Sequence, residues 1–211
     1  MSELPTLPTA GPQELPVAGA PSERADAARN RLKILEAAER LIARHGIENV
    51  SMDMLAQEAG VGKGTIFRRF GDRASLALSL LDEHEQAFQE AFIRGKPPLG
   101  PGAPPIERLR AFGHAMIDLL EEHGDLILVG ESGTPCARFR SAPFRVHRAH
   151  VTSLLNELDP RLDAEYHADS LLAVLAADQY RHLRHEREMP IERVRAGWDS
   201  VVAAVEALAE R

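Results

Sequence analysis

The chain has almost no cysteine. Cys136 is the single one in 211 residues, so neither an intrachain disulfide nor a cysteine-based zinc site can form, which fits a reduced, cytoplasmic setting. Long apolar runs are missing too. None approaches the roughly 20 residues that span a bilayer, so no membrane partner is expected. The stretch Met1 to Pro21 lacks both the cationic and the continuous apolar region of a signal peptide. Internal repeats, sustained heptads and alternating β-branched runs are also absent, which leaves an all-α reading.

Positive charge is scarce overall, with a net −7, but it is unevenly spread. Glu23 to Arg73 holds ten Lys/Arg against eight Asp/Glu, and the remainder holds 15 against 24. A mildly basic N-terminal module on an acidic body suits a DNA reader with a separate sensing and dimerising part.

Prolines cluster in two places. Positions 5, 8, 12, 16 and 21 punctuate a polar opening segment with little to bury, so residues 1–21 read as a disordered arm. Gly95 to Pro105 holds five more with three glycines and reads as a loop. Between them, Leu32, Leu35, Ala38, Leu41 and Ile42, widened by Ile34, give helical spacing from about Ala25 to His45, with Gly46 as the stop. Ser51 caps a short helix, Met52 to Ala59. Gly60-Val61-Gly62 forms a turn, Lys63 to Phe70 a third helix, and Asp72 caps a fourth, from Arg73 to about Arg94. Further helices are expected at Ile106–Glu122 and Pro143–Leu158. The stretch Gly124 to Ala142 between them is ambiguous, with Leu126 to Val129 read as buried helix rather than strand. The last two helices are expected at Ala164–Arg187 and Ile191–Ala209.

Two short helices joined by a glycine-containing turn have the spacing of a helix-turn-helix. Ala56 permits close approach, Val61 plugs the turn, and Ile66 and Phe70 form the inward face of the third helix. Its outward face offers Lys63, Gly64, Thr65, Phe67, Arg68 and Arg69. Small and basic residues at the N-terminal end of such a helix suit base edges in the major groove. Lys63, Arg68, Arg69 and Arg73 can each neutralise a phosphate. For Arg29 and Arg40, a DNA role and a solvated helix surface remain equally open, while Arg31 and Lys33, near the start of the first helix, are placed for a phosphate contact.

The run Arg31-x-x-Ile34-Leu35-x-Ala37-Ala38, then Gly46, then Ala56-x-x-Ala59-Gly60-Val61-Gly62-x-Gly64-Thr65-Ile66-Phe67-Arg68-x-Phe70 resembles the DNA-binding domain of the TetR family. The resemblance implies a helix-turn-helix domain over residues 22–73 and an effector-binding and dimerisation domain over residues 74–211. It implies a recognition helix from Lys63 to Phe70, a phosphate contact from Ser51 and a backbone contact from Arg73. The family usually has tyrosine where Phe67 stands, so the position carries over without the hydroxyl's hydrogen bond. The implied function is a sequence-specific regulator: a homodimeric repressor on a palindromic operator, released by a small molecule.

The body transfers nothing residue by residue. The apolar stripes of the last two helices, with Leu171, Leu172, Val174, Leu175, Val201, Val202, Val205 and Leu208, suggest a four-helix dimer bundle, or else packing within one chain. A cleft with mixed lining is expected around Phe112, Met116, Glu131, Cys136 and Phe139, with Gly130–Pro143 as its gate and Trp198 either in it or in the dimer core. No cofactor, metal or catalytic group is expected. Cys136 lacks an activating neighbour in sequence, and Arg148, Arg181 and Arg184 disfavour a cation at the pairs His147/His150 and His182/His185. The competing reading is an all-α small-molecule binder or enzyme that keeps the helix-turn-helix as scaffold.

Overall fold

The computed structural model describes residues 21–132 and 135–210, with side chains from residue 27 onward in the first helix. The expected arm thus lies, except for Pro21, outside the described residues. The order is α1 (Pro21–His45), a 3-10 turn (Ile47–Asn49), α2 (Met52–Ala59), α3 (Lys63–Phe70), α4 (Arg73–Arg94), α5 (Pro105–Glu131), α6 (Ala137–Arg140), α7 (Ala142–Leu158), α8 (Ala164–Val174), α9 (Ala177–Arg181), a π-helical turn (His182–Glu186) and α10 (Ile191–Ala209). No strand occurs among the described residues, so the fold class is all-α.

Local chemistry sets the N-terminal module. Ile34, Ala37, Ala38 and Leu41 recur at one-turn spacing on α1 and all are buried. Leu32 points the opposite way and is 56% exposed, so it is not part of the stripe. Gly60 has φ of +64°, a conformation glycine adopts without strain. There its N–H and that of Val61 close back on the end of α2. Ser51 Oγ accepts from the Met54 amide at 3.2 Å and Asp72 Oδ1 from the Ser75 amide at 2.7 Å, which starts α2 and α4. Leu55, Ala56, Ile66, Phe70 and Leu76 complete this core. Leu76 lies on α4, so that helix is shared, and a boundary at residue 73 cuts across one apolar cluster.

The body packs around α5, which runs unbroken through the ambiguous Leu126–Val129 stretch. Gly113 makes its central crossing possible, since a Cβ there would lie 1.9 Å from the Trp198 ring. The indole donates to the Arg110 carbonyl at 3.0 Å, locking α10 across α5. The single helix expected over Ala164–Arg187 is instead broken. Leu175, Ala176 and Ala177 are all buried, and no one helix face holds three consecutive residues. The chain leaves helical geometry at Ala176, with φ −72° and ψ 142°, and turns all three inward. A small cluster of Ile47, Ala77 and Val129 joins module to body. Beside it, Arg181 pairs with Glu48 at 2.8 Å.

Candidate DNA-reading face and effector chamber

The third helix divides as its sequence demands. Ile66 and Phe70 are buried, while Lys63, Gly64, Phe67, Arg68 and Arg69 are exposed and Thr65 is half-buried. Phe67 is 44% exposed, an apolar ring on an otherwise basic face. Lys63 Nζ is engaged by Asp53 at 2.7 Å and lies 5.8 Å from the Phe67 ring centroid. Reaching a phosphate means leaving Asp53, a cost of about 0–1 kcal/mol for an exposed pair. Arg73 is exposed, and its Nη1 donates to the Glu48 carbonyl at 2.8 Å, which holds the guanidinium beside the start of α4. Ser51 spends its hydroxyl oxygen on capping α2 and remains exposed. Arg40 and Arg44 both reach Glu58, at 3.3 and 2.8 Å, bracing α1 against α2. Arg31 lies over the Phe70 ring at 5.4 Å.

A chamber of about 280 Å³ opens in the body between α4, α5, α7 and the end of α8. Its wall is largely leucine: Leu78, Leu81, Leu119, Leu120, Leu172 and Leu175, with Met116, Ile127 and Phe144. Two ion pairs break that wall. His147 Nε2 meets Glu85 Oε1 at 2.7 Å, both largely buried, and Gln89 donates to the same oxygen at 2.6 Å. Burial opposes the charge on Glu85, but the hydrogen bonds from His147 and Gln89 outweigh it and hold the carboxyl below its ordinary range. Across the chamber Arg138 Nε stands 3.5 Å from Glu131 Oε1. Here burial wins. The Glu131 carboxyl is pushed above its ordinary range, against the pull of Arg138 and with Asp178 adding to the rise. Asp82 stands at the exposed rim.

Residues 34–80 match the family model described as bacterial regulatory proteins, tetR family. The N-terminal module is therefore similar to the DNA-binding segment of that family. An HTH-type transcriptional regulator of Staphylococcus aureus (strain MRSA252) is 26% identical to this chain over 172 residues, 82% of this chain and 91% of the relative. Among solved structures, a TetR-like transcriptional regulator from Rhodococcus sp. RHA1 superposes with a TM-score of 0.57 at 20% identity, covering 87% of this chain and 98% of the other. FadR from Bacillus subtilis, in complex with stearoyl-CoA, gives 0.60 at 18% identity, covering 83% and 97%. At those identities the two structures speak for the fold alone.

The body departs from several expectations. Of the five residues expected around a cleft, Met116 and Glu131 line the chamber. Phe112 does not, being fully buried in the body's core among Phe88 and Phe92. Cys136 and Phe139 are exposed and stand outside the lining; the Phe139 ring packs edge-on against Phe144, at 5.1 Å between centroids. Part of the expected gate does face the chamber, through Arg138, Ser141, Ala142 and Pro143. The dimer stripe needs a larger correction. Leu171, Leu172, Leu175, Val202 and Val205 are buried within one chain, because α8 and α10 spend those faces on α5 and α7. Val174 and Leu208 stay 41% and 43% exposed, and Val201 is half-buried. Trp198 is core within one chain.

Sequence reasoning missed Glu85, Asp82 and Arg138, and noticed His147 only as a metal candidate. Glu85 and His147 are 62 positions apart, so no local pattern connects them. One signal was present. A histidine on an otherwise apolar helix face needs a partner when buried, and a carboxylate on α4 was the available kind.

Proposed function

We propose that this protein is a homodimeric repressor of the TetR family that acts in the cytoplasm, binds a palindromic operator through α3 and is released when a small molecule enters the chamber. The observation that carries the reading is the division of α3. Ile66 and Phe70 anchor it, and Lys63, Gly64, Thr65, Phe67, Arg68 and Arg69 are left facing outward. Residues 22–73 with the first turns of α4 form the DNA-reading part, and the remainder up to residue 211 is the sensing and dimerising part. Ser51 and Arg73 flank the recognition helix as phosphate contacts, and α3 reads the groove.

The accessible remainder of the α8–α10 face supports a dimer. Val174, Ala196, Gly197, Ser200 and Val201 line a shallow apolar groove there, with Leu208 exposed further along α10. Small residues of this kind let a second copy's helices approach closely. Two recognition helices then meet half-sites about 34–36 Å apart. A ligand releases DNA only by binding better to a dimer whose helices no longer fit that spacing. The link at hand is structural: Leu78 lines the chamber, touches Gly130, and lies beside Ala77 in the cluster joining body to module.

Selection of bound sequences from a random duplex library at two salt concentrations tests the reading. A palindrome with half-sites one helical turn apart, retained at the higher salt, is the expected result. Loose binding that vanishes with salt would reduce the α3 face to a nonspecific electrostatic patch.

A further inference from the structure

We propose that the chamber selects an amphipathic organic cation, a lipophilic amine whose nitrogen docks on Glu131, over a carboxylate or phosphate ligand. The inference rests on the chamber being the effector site and adds the chemical class that site accepts.

The lining carries three carboxylates, Asp82, Glu85 and Glu131, against two basic groups, Arg138 and His147. Those two are already committed. His147 is held by Glu85 at 2.7 Å. Arg138 donates from Nη2 to the Leu172 carbonyl at 2.7 Å, lies 5.3 Å from the Phe144 ring centroid, and faces Glu131 at 3.5 Å. An anionic headgroup would have to draw Arg138 away from that position. It would leave Glu131 without the Arg138 cation that faces it and bring a third negative group towards the two inner carboxylates.

The carboxylates differ in what they lack. Glu85 accepts two hydrogen bonds, from His147 and Gln89. Glu131 accepts none from the described residues, although it is half-buried, and Arg138 stands beyond good hydrogen-bond range. A half-buried carboxylate short of donors is stabilised by an N–H that brings positive charge with it. The rest of the wall offers leucine, methionine and phenylalanine to an alkyl or aromatic body. The volume, about 280 Å³, falls just below the range of drug-sized ligand sites, about 300 to 1,000 Å³, and so suits a small ligand.

Three probes with one alkyl chain separate charge from shape: n-octylamine, n-octanol and n-octanoate, titrated calorimetrically into the full-length protein at neutral pH. The expected order is octylamine, then octanol, then octanoate, with at least about a tenfold gap between the amine and the acid. In Glu131→Gln the amine is expected to weaken roughly tenfold while octanol is unchanged. Tighter octanoate binding, or equal affinity for all three, overturns the cation proposal while leaving the chamber as a ligand site. Binding of none of them at millimolar concentration removes the chamber reading itself, and the proposal with it. The wild-type series stands alone should the variant fail to fold.

Discussion

The N-terminal module and the body handle charge in opposite ways. In the module every buried residue of the core is apolar, and the ionic groups lie on the rim, as in Lys63–Asp53 and Arg44–Glu58. In the body two ion pairs are drawn inward onto the wall of a chamber. The difference follows from what each part must recognise. A DNA backbone is reached from outside, where cations stay solvated and exchange partners at little cost. A small molecule enclosed by protein is distinguished by groups already desolvated, where each unmet hydrogen bond matters.

The widest separation between the two parts should come from Trp198→Ala. It removes a ring that is 2% exposed and its bond to Arg110, at a cost of about 3–5 kcal/mol. Calorimetry should show the transition of the body falling sharply in temperature. An unchanged transition would mean that α10 is not held by the Gly113 crossing. Next in size, Glu85→Ala leaves His147 largely buried without its partner, an expected loss of about 1–3 kcal/mol. Urea unfolding measures it, and Lys63→Ala in the same assay should change stability by less than about 0.5 kcal/mol. Equal losses from the two would erase the proposed contrast.

On the DNA side, Arg68→Ala should weaken operator binding by about 1–3 kcal/mol if the side chain meets a base. For a phosphate contact the loss is smaller and uniform across sequences, and the salt slope falls by about one. Anisotropy titrations on operator and scrambled duplexes distinguish these. Lys63→Ala should cost less, since Asp53 already competes for the ammonium.

The smallest effect is a pH dependence. Arg184 donates twice to Glu121, at 2.6 and 2.9 Å, and Tyr180 donates to it as well, so the carboxyl is pushed down to about 2 from an ordinary 4.5. A lowered carboxyl contributes stability that is complete above its unfolded value and fades as pH falls through that value towards about 2. The pair is partly solvated, which limits its contribution to about 1 kcal/mol. The stability gap between wild type and Glu121→Gln should therefore shrink steadily from pH 5 to pH 3. A gap that widens on acidification would place the charge elsewhere.

Most of the module was legible because its determinants are local. Ser51 and Asp72 cap the helices that follow them, Gly60 supplies the left-handed turn, and Ile66 and Phe70 share a face by being four apart. The recognition face is what remains once those positions are spent. Helix existence in the body was equally readable, as the α10 span Ile191–Ala209 illustrates. What each helix packs against was not. The stripes on α8 and α10 have the pattern of a dimer seam, yet Leu172, Leu175 and Val205 are consumed by α5 and α7 of the same chain. A periodicity states that a face is buried and is silent about the partner.

An all-α chain with a helix-turn-helix and the basic face of α3 thus follow from residue order alone, since caps, turns and one-turn spacings act within a few residues. Long-range packing set the break at Ala176, the exclusion of Phe112 from the chamber, and the meeting of Glu85 with His147 and of Arg138 with the Leu172 carbonyl. Those outcomes depend on which distant helices compete for the same space, a choice settled by packing and by the need of buried polar groups for partners.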